Sequence, residues 1–142
     1  MPTDASHEQL MPPFSIPPLT IEIVDDDIAA QATDAIVNAA NVIHAAVMGQ
    51  DLETSAALIA TATKNALRLA DSRGLVSIAL PAFGTGVGGF PIAECARLMI
   101  QTVRAHAPAA RSLRLIRFVL FGQTSYRAFD HAARELIDGA EA

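Results

Sequence analysis

The hydrophobic positions of this chain switch repeatedly between a period of two and a period near 3.6. Leu19-Thr-Ile-Glu-Ile-Val24 alternates apolar and polar residues, the pattern of a half-buried strand. Ala35-Ile-Val-Asn38 reads as a short apolar strand after a polar turn. From Asp51, a cap residue, the spacing becomes helical: Ala56, Ile59, Leu67 and Ala70 share one face of a helix running to about Ser72, with Gly74 just past its end. Residues 75–81 predict a buried strand. Pro91 suits the first position of a second helix, whose stripe is Ile92, Ala96, Met99 and Val103 until Pro108 stops it. Residues 113–121 predict another strand, and Thr124 then caps a last helix carrying Tyr126, Phe129, Ala133, Leu136 and Ile137. An order that closes β-α-β-α-β-α calls for an α/β fold with a largely parallel sheet and helices on both faces.

Two stretches break this rhythm. Residues 1–18 hold five of the eight prolines, including the pairs Pro12-Pro13 and Pro17-Pro18. Such a segment propagates neither a helix nor a central strand, so a disordered tail is expected there and a single domain over residues 19–142. The second stretch places the strand-like segments 35–38 and 42–47 almost end to end, with only Ala39-Ala40-Asn41 between them. Parallel neighbours need a crossover of roughly a dozen residues or more. Either the pair forms a tight hairpin or a connecting segment is missing.

Composition narrows the class. With 142 residues, 51% of them apolar, the chain has material for one core. Six Phe, one Tyr and no Trp leave Ala, Leu, Ile and Val to do most of the packing. No apolar run approaches the roughly 18–20 residues that cross a bilayer. Acids stand in residues 1–8, where a signal peptide needs a basic segment. Together with a single cysteine, Cys95, this points to a cytoplasmic protein without a disulfide or a membrane partner. A net charge of −5 argues against nucleic acid as a partner, and Arg111, Arg114 and Arg117 read as a solvated strand face. An acidic chain still binds anions where backbone amides supply the positive end of a dipole.

The densest chemical signal is Ala82-Phe-Gly-Thr-Gly-Val-Gly-Gly-Phe-Pro91, which holds half of the glycines between a buried strand and a proline-opened helix. Glycine admits positive φ and close approach of a ligand to the backbone, so successive amides here can converge on a phosphate; the alternative is a tight βα turn alone. Gly84, Gly86 and Gly89 match G-x-G-x-x-G, but the acidic residue expected about 20 positions on is absent, which disfavours a dinucleotide-dependent oxidoreductase. No glycine precedes a Lys-Ser/Thr pair, so there is no Walker loop. Asp25-Asp26-Asp27 reads as a solvated turn or a cation site, and the turn is preferred, with no metal or cofactor assigned. Asn38 and Asn41, at a strand's carboxyl end, either bond ribose hydroxyls in the crevice of an open α/β sheet or satisfy local backbone. Cys95 and His44 fit a core better than a catalytic pair, and His7, His106 and His131 show no ligand spacing.

Taken together, Asp26-Asp27-Ile28, Asp34-Ala-Ile-Val-Asn-Ala-Ala-Asn41, Val42-Ile-His44, residues 77–91 and Arg117-Phe-Val-Leu-Phe121 resemble the macro domain, a family of ADP-ribose binders, in family order over about residues 19–137. The resemblance implies a three-layer α/β/α sandwich with a mixed, mostly parallel sheet, here shortened. It implies that ADP-ribose or an ADP-ribosylated protein is the partner. Asp27 would bind the adenine amino group beside Ile28, and Phe121 would pack against the adenine. Gly84, Thr85, Gly86, Val87, Gly88 and Gly89 would wrap the diphosphate, Asn41 would face the distal ribose, and Asn38 and Phe90 are further candidate ligand contacts. Hydrolysis of ADP-ribosyl esters or of O-acetyl-ADP-ribose is the enzymatic alternative, with Asn41 as its candidate catalytic residue. Two departures stand out. The family's second glycine-rich loop, with a helix and strand, is missing between Asn41 and Val42, and Gly88 replaces a frequent aromatic. A shortened remnant with weakened binding is therefore a third reading, and the oligomeric state is left open.

Overall fold

The computed structural model describes residues 13–36, 52–83 and 90–139. These contain five strands, β1 (Phe14–Ile16), β2 (Leu19–Asp25), β3 (Ala35–Ile36), β4 (Ser77–Leu80) and β5 (Leu115–Leu120), and three helices, α1 (Leu52–Ser72), α2 (Ile92–His106) and α3 (Gln123–Ala133). The sheet is mixed, in the order β1-β2-β5-β4-β3. Only β1 runs antiparallel, pairing Phe14 with Ile21; β2, β5, β4 and β3 are parallel.

The alternation in β2 becomes the two faces of the sheet. Ile21, Ile116 and Ile78 lie in one cross-strand row, and Ile23, Phe118 and Leu80 in the next, all buried. Helices cover this face: α3 packs on β2 and β5, α2 lies between α3 and α1, and the Phe118 and Phe129 rings meet at 5.1 Å. Of the expected stripe, Ala96, Met99 and Val103 are fully buried and Ile92 is partly buried; Ile59 and Leu67 on α1 are fully buried as well. Cys95 belongs to this core. Its thiol lies 3.2 Å from the Phe83 carbonyl, and burial pushes its pKa up to about 12, so it is not a thiolate nucleophile.

The opposite face carries Glu22, Arg117 and Ala79 in register. Arg117 Nε donates to Glu22 Oε1 at 2.7 Å across the parallel pair, so this arginine is engaged on the sheet rather than merely solvated.

At the amino ends of β4 and β5 the chain is knotted by one carboxylate. Asp71, in the last turn of α1, accepts from the Arg111, Ser112 and Leu113 amides at 3.0, 2.8 and 2.8 Å and from the Ser112 hydroxyl at 3.3 Å. His106, at the end of α2, lies 2.6 Å away. Gly74, at φ +73°, then turns the chain back toward β4.

Two expectations are corrected. Order begins before Leu19: Phe14 is 6% exposed and joins the core, because an edge strand tolerates prolines at its ends. Thr124 is not the cap of the last helix. That helix starts after Gly122, whose φ of +99° needs glycine and whose N–H is taken by Asp25 Oδ1 at 2.9 Å. The expected Asp51 cap and the strand pair around Ala39-Ala40-Asn41, with His44, lie outside the described residues.

Candidate functional site

Loops gather where the parallel strands end. β2 runs into Asp26, Asp27 and a three-residue 3-10 turn, Ile28–Ala30, closed by the Ala30 N–H to the Asp27 carbonyl at 3.0 Å. This turn is pinned from below. Gln31 Nε2 donates to the Asp27 carbonyl at 2.9 Å and to Asp26 Oδ2 at 3.2 Å, while Gln31 Oε1 accepts from Arg117 Nη1 at 3.2 Å. The Asp27 N–H donates to Asp26 Oδ1 at 2.7 Å, and this bond, followed by that of Gln31, holds the Asp26 carboxyl below the usual carboxylate range. Asp25 accepts from the Gly122 N–H and, at 3.1 Å, from Gln123 Nε2, so the β2 and β5 loops are fastened to each other. Asp25 and Asp26 thus spend their oxygens on protein donors, as a structured turn does. Among the described residues no cluster of three His, Cys, Asp or Glu could hold a metal ion.

Between these loops opens a cleft of about 280 Å³. Asp27 and Ile28 form one wall, Phe121 and Ser125 another, and Pro81 with Ala82 a third; Val119 and Leu120 also line it. Phe121 is 91% exposed, although β5 ahead of it is buried. An aromatic face held out of the core beside a carboxylate and an aliphatic side chain suits a planar ligand with polar edges. The positive end of α3 adds a dipole, since its first turn includes Ser125.

Three of the residues singled out in the sequence, Asp27, Ile28 and Phe121, therefore come together from loops more than 90 positions apart. Phe90 does not join them: it is 5% exposed and belongs to the hydrophobic core. Gly84, Thr85, Gly86, Val87, Gly88, Gly89, Asn38 and Asn41 lie outside the described residues. Sequence reasoning passed over Pro81, Ala82 and Ser125. Their signal was position, directly after a buried strand or in the first turn of the helix that follows.

Among the described residues, a five-stranded mixed sheet with three helices and a crevice at the strands' carboxyl ends defines the class as an α/β domain of mostly parallel strands. A profile of the family described as Macro domain matches residues 28–99. The chain belongs to the macro domain family. A Mycobacterium tuberculosis protein is 46% identical over 104 residues, 73% of this chain and 28% of that protein. A macro domain-containing protein of Streptomyces coelicolor is 39% identical over 77 residues, 54% of this chain and 44% of its own length. The match thus spans less than half of either relative. Among solved structures, an Oceanobacillus iheyensis macrodomain with ADP superposes with a TM-score of 0.79 at 23% identity, over 90% of this chain and 97% of that one. A Trypanosoma brucei macrodomain in complex with ADP-ribose gives 0.70 at 18% identity, over 89% and 75%. At these identities the likeness establishes the shared fold.

Proposed function

We propose that the protein binds ADP-ribose, free or attached to another protein, with the adenine in the cleft between Asp27 and Phe121. The observation that carries this reading is the convergence of a carboxylate, an aliphatic side chain and a nearly fully exposed aromatic on one crevice of a macro domain. Phe121 would lie against the adenine face, a contact worth about 1–3 kcal/mol for stacked bases. Asp27 would accept from the exocyclic amine, a donor that stands where hypoxanthine and guanine carry a carbonyl. Because the β2 and β5 loops are tied by Asp25 and Gln31, little side-chain or loop freedom is lost on binding. The diphosphate would then pass toward residues 84–89, which follow the cleft-lining Pro81 and Ala82 in the chain. ADP-bound and ADP-ribose-bound relatives of the same fold support the assignment.

A thermal-shift comparison of ADP-ribose, ADP, NAD and AMP tests it. At a concentration a hundred times Kd, a ligand that binds only the folded chain adds about 2.7 kcal/mol of stability. ADP-ribose is expected to raise Tm. A larger rise than ADP gives would implicate a distal ribose pocket near Asn41, whereas an equal rise would restrict recognition to adenine and diphosphate. Calorimetry that finds no heat with ADP-ribose, on a cooperatively folded sample, would overturn the proposal.

A further inference from the structure

A larger opening lies at the other end of the sheet, between α1 and α2, with a volume of about 840 Å³. Its volume is that of a small-molecule site. The small side chains of Ala60, Ala105 and Ala109 line it without filling it. Around them stand three cations: Lys64 and Arg68 on α1, and Arg111 on the segment leading to β5. All three are exposed, and none makes an ion pair among the described residues.

The only carboxylate lining the groove, among the described residues, is Asp71, and its oxygens are already taken by three backbone amides, the Ser112 hydroxyl and His106. It has little left to offer the cations. Lys64 and Arg68 are one turn apart, about 6 Å along the axis, where like charges repel. Favourable contact with the negative end of a helix falls off within the last turn. That effect does not account for Lys64, two turns before Ser72, or for Arg111, which lies beyond both helices. In a chain of net charge −5, a groove carrying three cations that no described carboxylate pairs, over an apolar floor, is complementary to an anion, including one with an apolar body.

We propose that the α1–α2 groove is a second ligand site, which takes a small, multiply charged phosphate compound. Its charged groups lie against Lys64, Arg68 and Arg111, and any neutral part it carries lies over the three alanines. The site is separate from the cleft at Phe121, since its lining comes from the amino-end side of β4 and β5.

Amide chemical shifts of the full-length 15N-labelled chain, titrated with inorganic tripolyphosphate and separately with ATP, test this. Shifts are expected around Lys64, Arg68 and Arg111, and they persist when ADP-ribose saturates the other cleft. ATP binding this groove more tightly than tripolyphosphate would identify a nucleotide, and equal binding a free polyphosphate; either supports the site. Replacing all three cations with glutamine (Lys64→Gln, Arg68→Gln, Arg111→Gln) is expected to weaken tripolyphosphate by at least about tenfold while leaving any response to ADP-ribose unchanged. Three results overturn the proposal. One is the absence of shifts at these residues up to about 10 mM. Another is an unchanged affinity in the substituted chain. The third is a single-stranded oligonucleotide that binds there at least about tenfold tighter than either compound, which would make the groove a polymer site.

Discussion

The two ends of the sheet are built on different terms. At the amino ends of β4 and β5, Asp71 is 8% exposed and gathers α1, α2 and the approach to β5 through five donors. At the carboxyl ends, the carboxylates of Asp25 and Asp26 are exposed and accept from two protein donors each, and Phe121 stands in solvent. A buried carboxylate satisfies amides that would otherwise be orphaned, whereas the exposed pair fastens the loops that carry Asp27 and Phe121. One pole holds the fold together; the other presents side chains from it.

The comparison breaks most sharply at Asp71. Asp71→Ala leaves the Arg111, Ser112 and Leu113 amides without their acceptor and is expected to cost about 3 kcal/mol in urea unfolding, well above a surface substitution. Acid probes the same residue without mutation. Burial raises the Asp71 pKa, but the Leu113 amide, His106 and the Ser112 and Arg111 amides outweigh it and bring the pKa down from 3.8 to about 2. The folded value lies below the unfolded one, so the contribution is complete above about pH 4 and is lost as the pH falls toward 2. It amounts to about 2 kcal/mol, and pH-dependent unfolding of the parent against Asp71→Asn reads it as a difference that closes at low pH.

At the other pole the effects separate binding from stability. Phe121→Ala is expected to leave Tm within about a degree, since the ring is 91% exposed, and to weaken ADP-ribose about tenfold in calorimetry. A fall in stability without a change in affinity would reverse the distinction drawn between the two poles. Gly122→Ala is the smallest and most local case. Nothing within 4 Å would meet the new Cβ, so the cost comes from φ of +99° alone, about 1–2 kcal/mol at most, read by urea unfolding.

Much of the architecture was legible in the chain. The alternation of Leu19, Ile21 and Ile23 and the stripe of Ala96, Met99 and Val103 needed only period and burial to be placed correctly. So did the choice of Cys95 as a core residue. The first strand was hidden because proline pairs flank Phe14, and a proline reads as a stop unless one knows that the strand sits at a sheet edge. Asp71 left a fainter trace: an acid in the last turn of a helix opposes the dipole and calls for donors from elsewhere. Which donors answered, amides about 40 residues away, no local rule could say.

What the sequence settled by itself was periodicity and motif, because the faces of strands and helices follow from spacing along the chain. On those grounds the mostly parallel α/β order and the macro-type segments Asp26-Asp27-Ile28 and Arg117-Phe-Val-Leu-Phe121 were readable. Only the tertiary structure decided that Phe121 stays exposed in the same cleft as Asp27 while Phe90 is buried, and that three cations ring a groove whose one carboxylate among the described residues is occupied. Exposure and compensation of charge depend on neighbours brought from distant positions, and such neighbours exist only once the chain has folded.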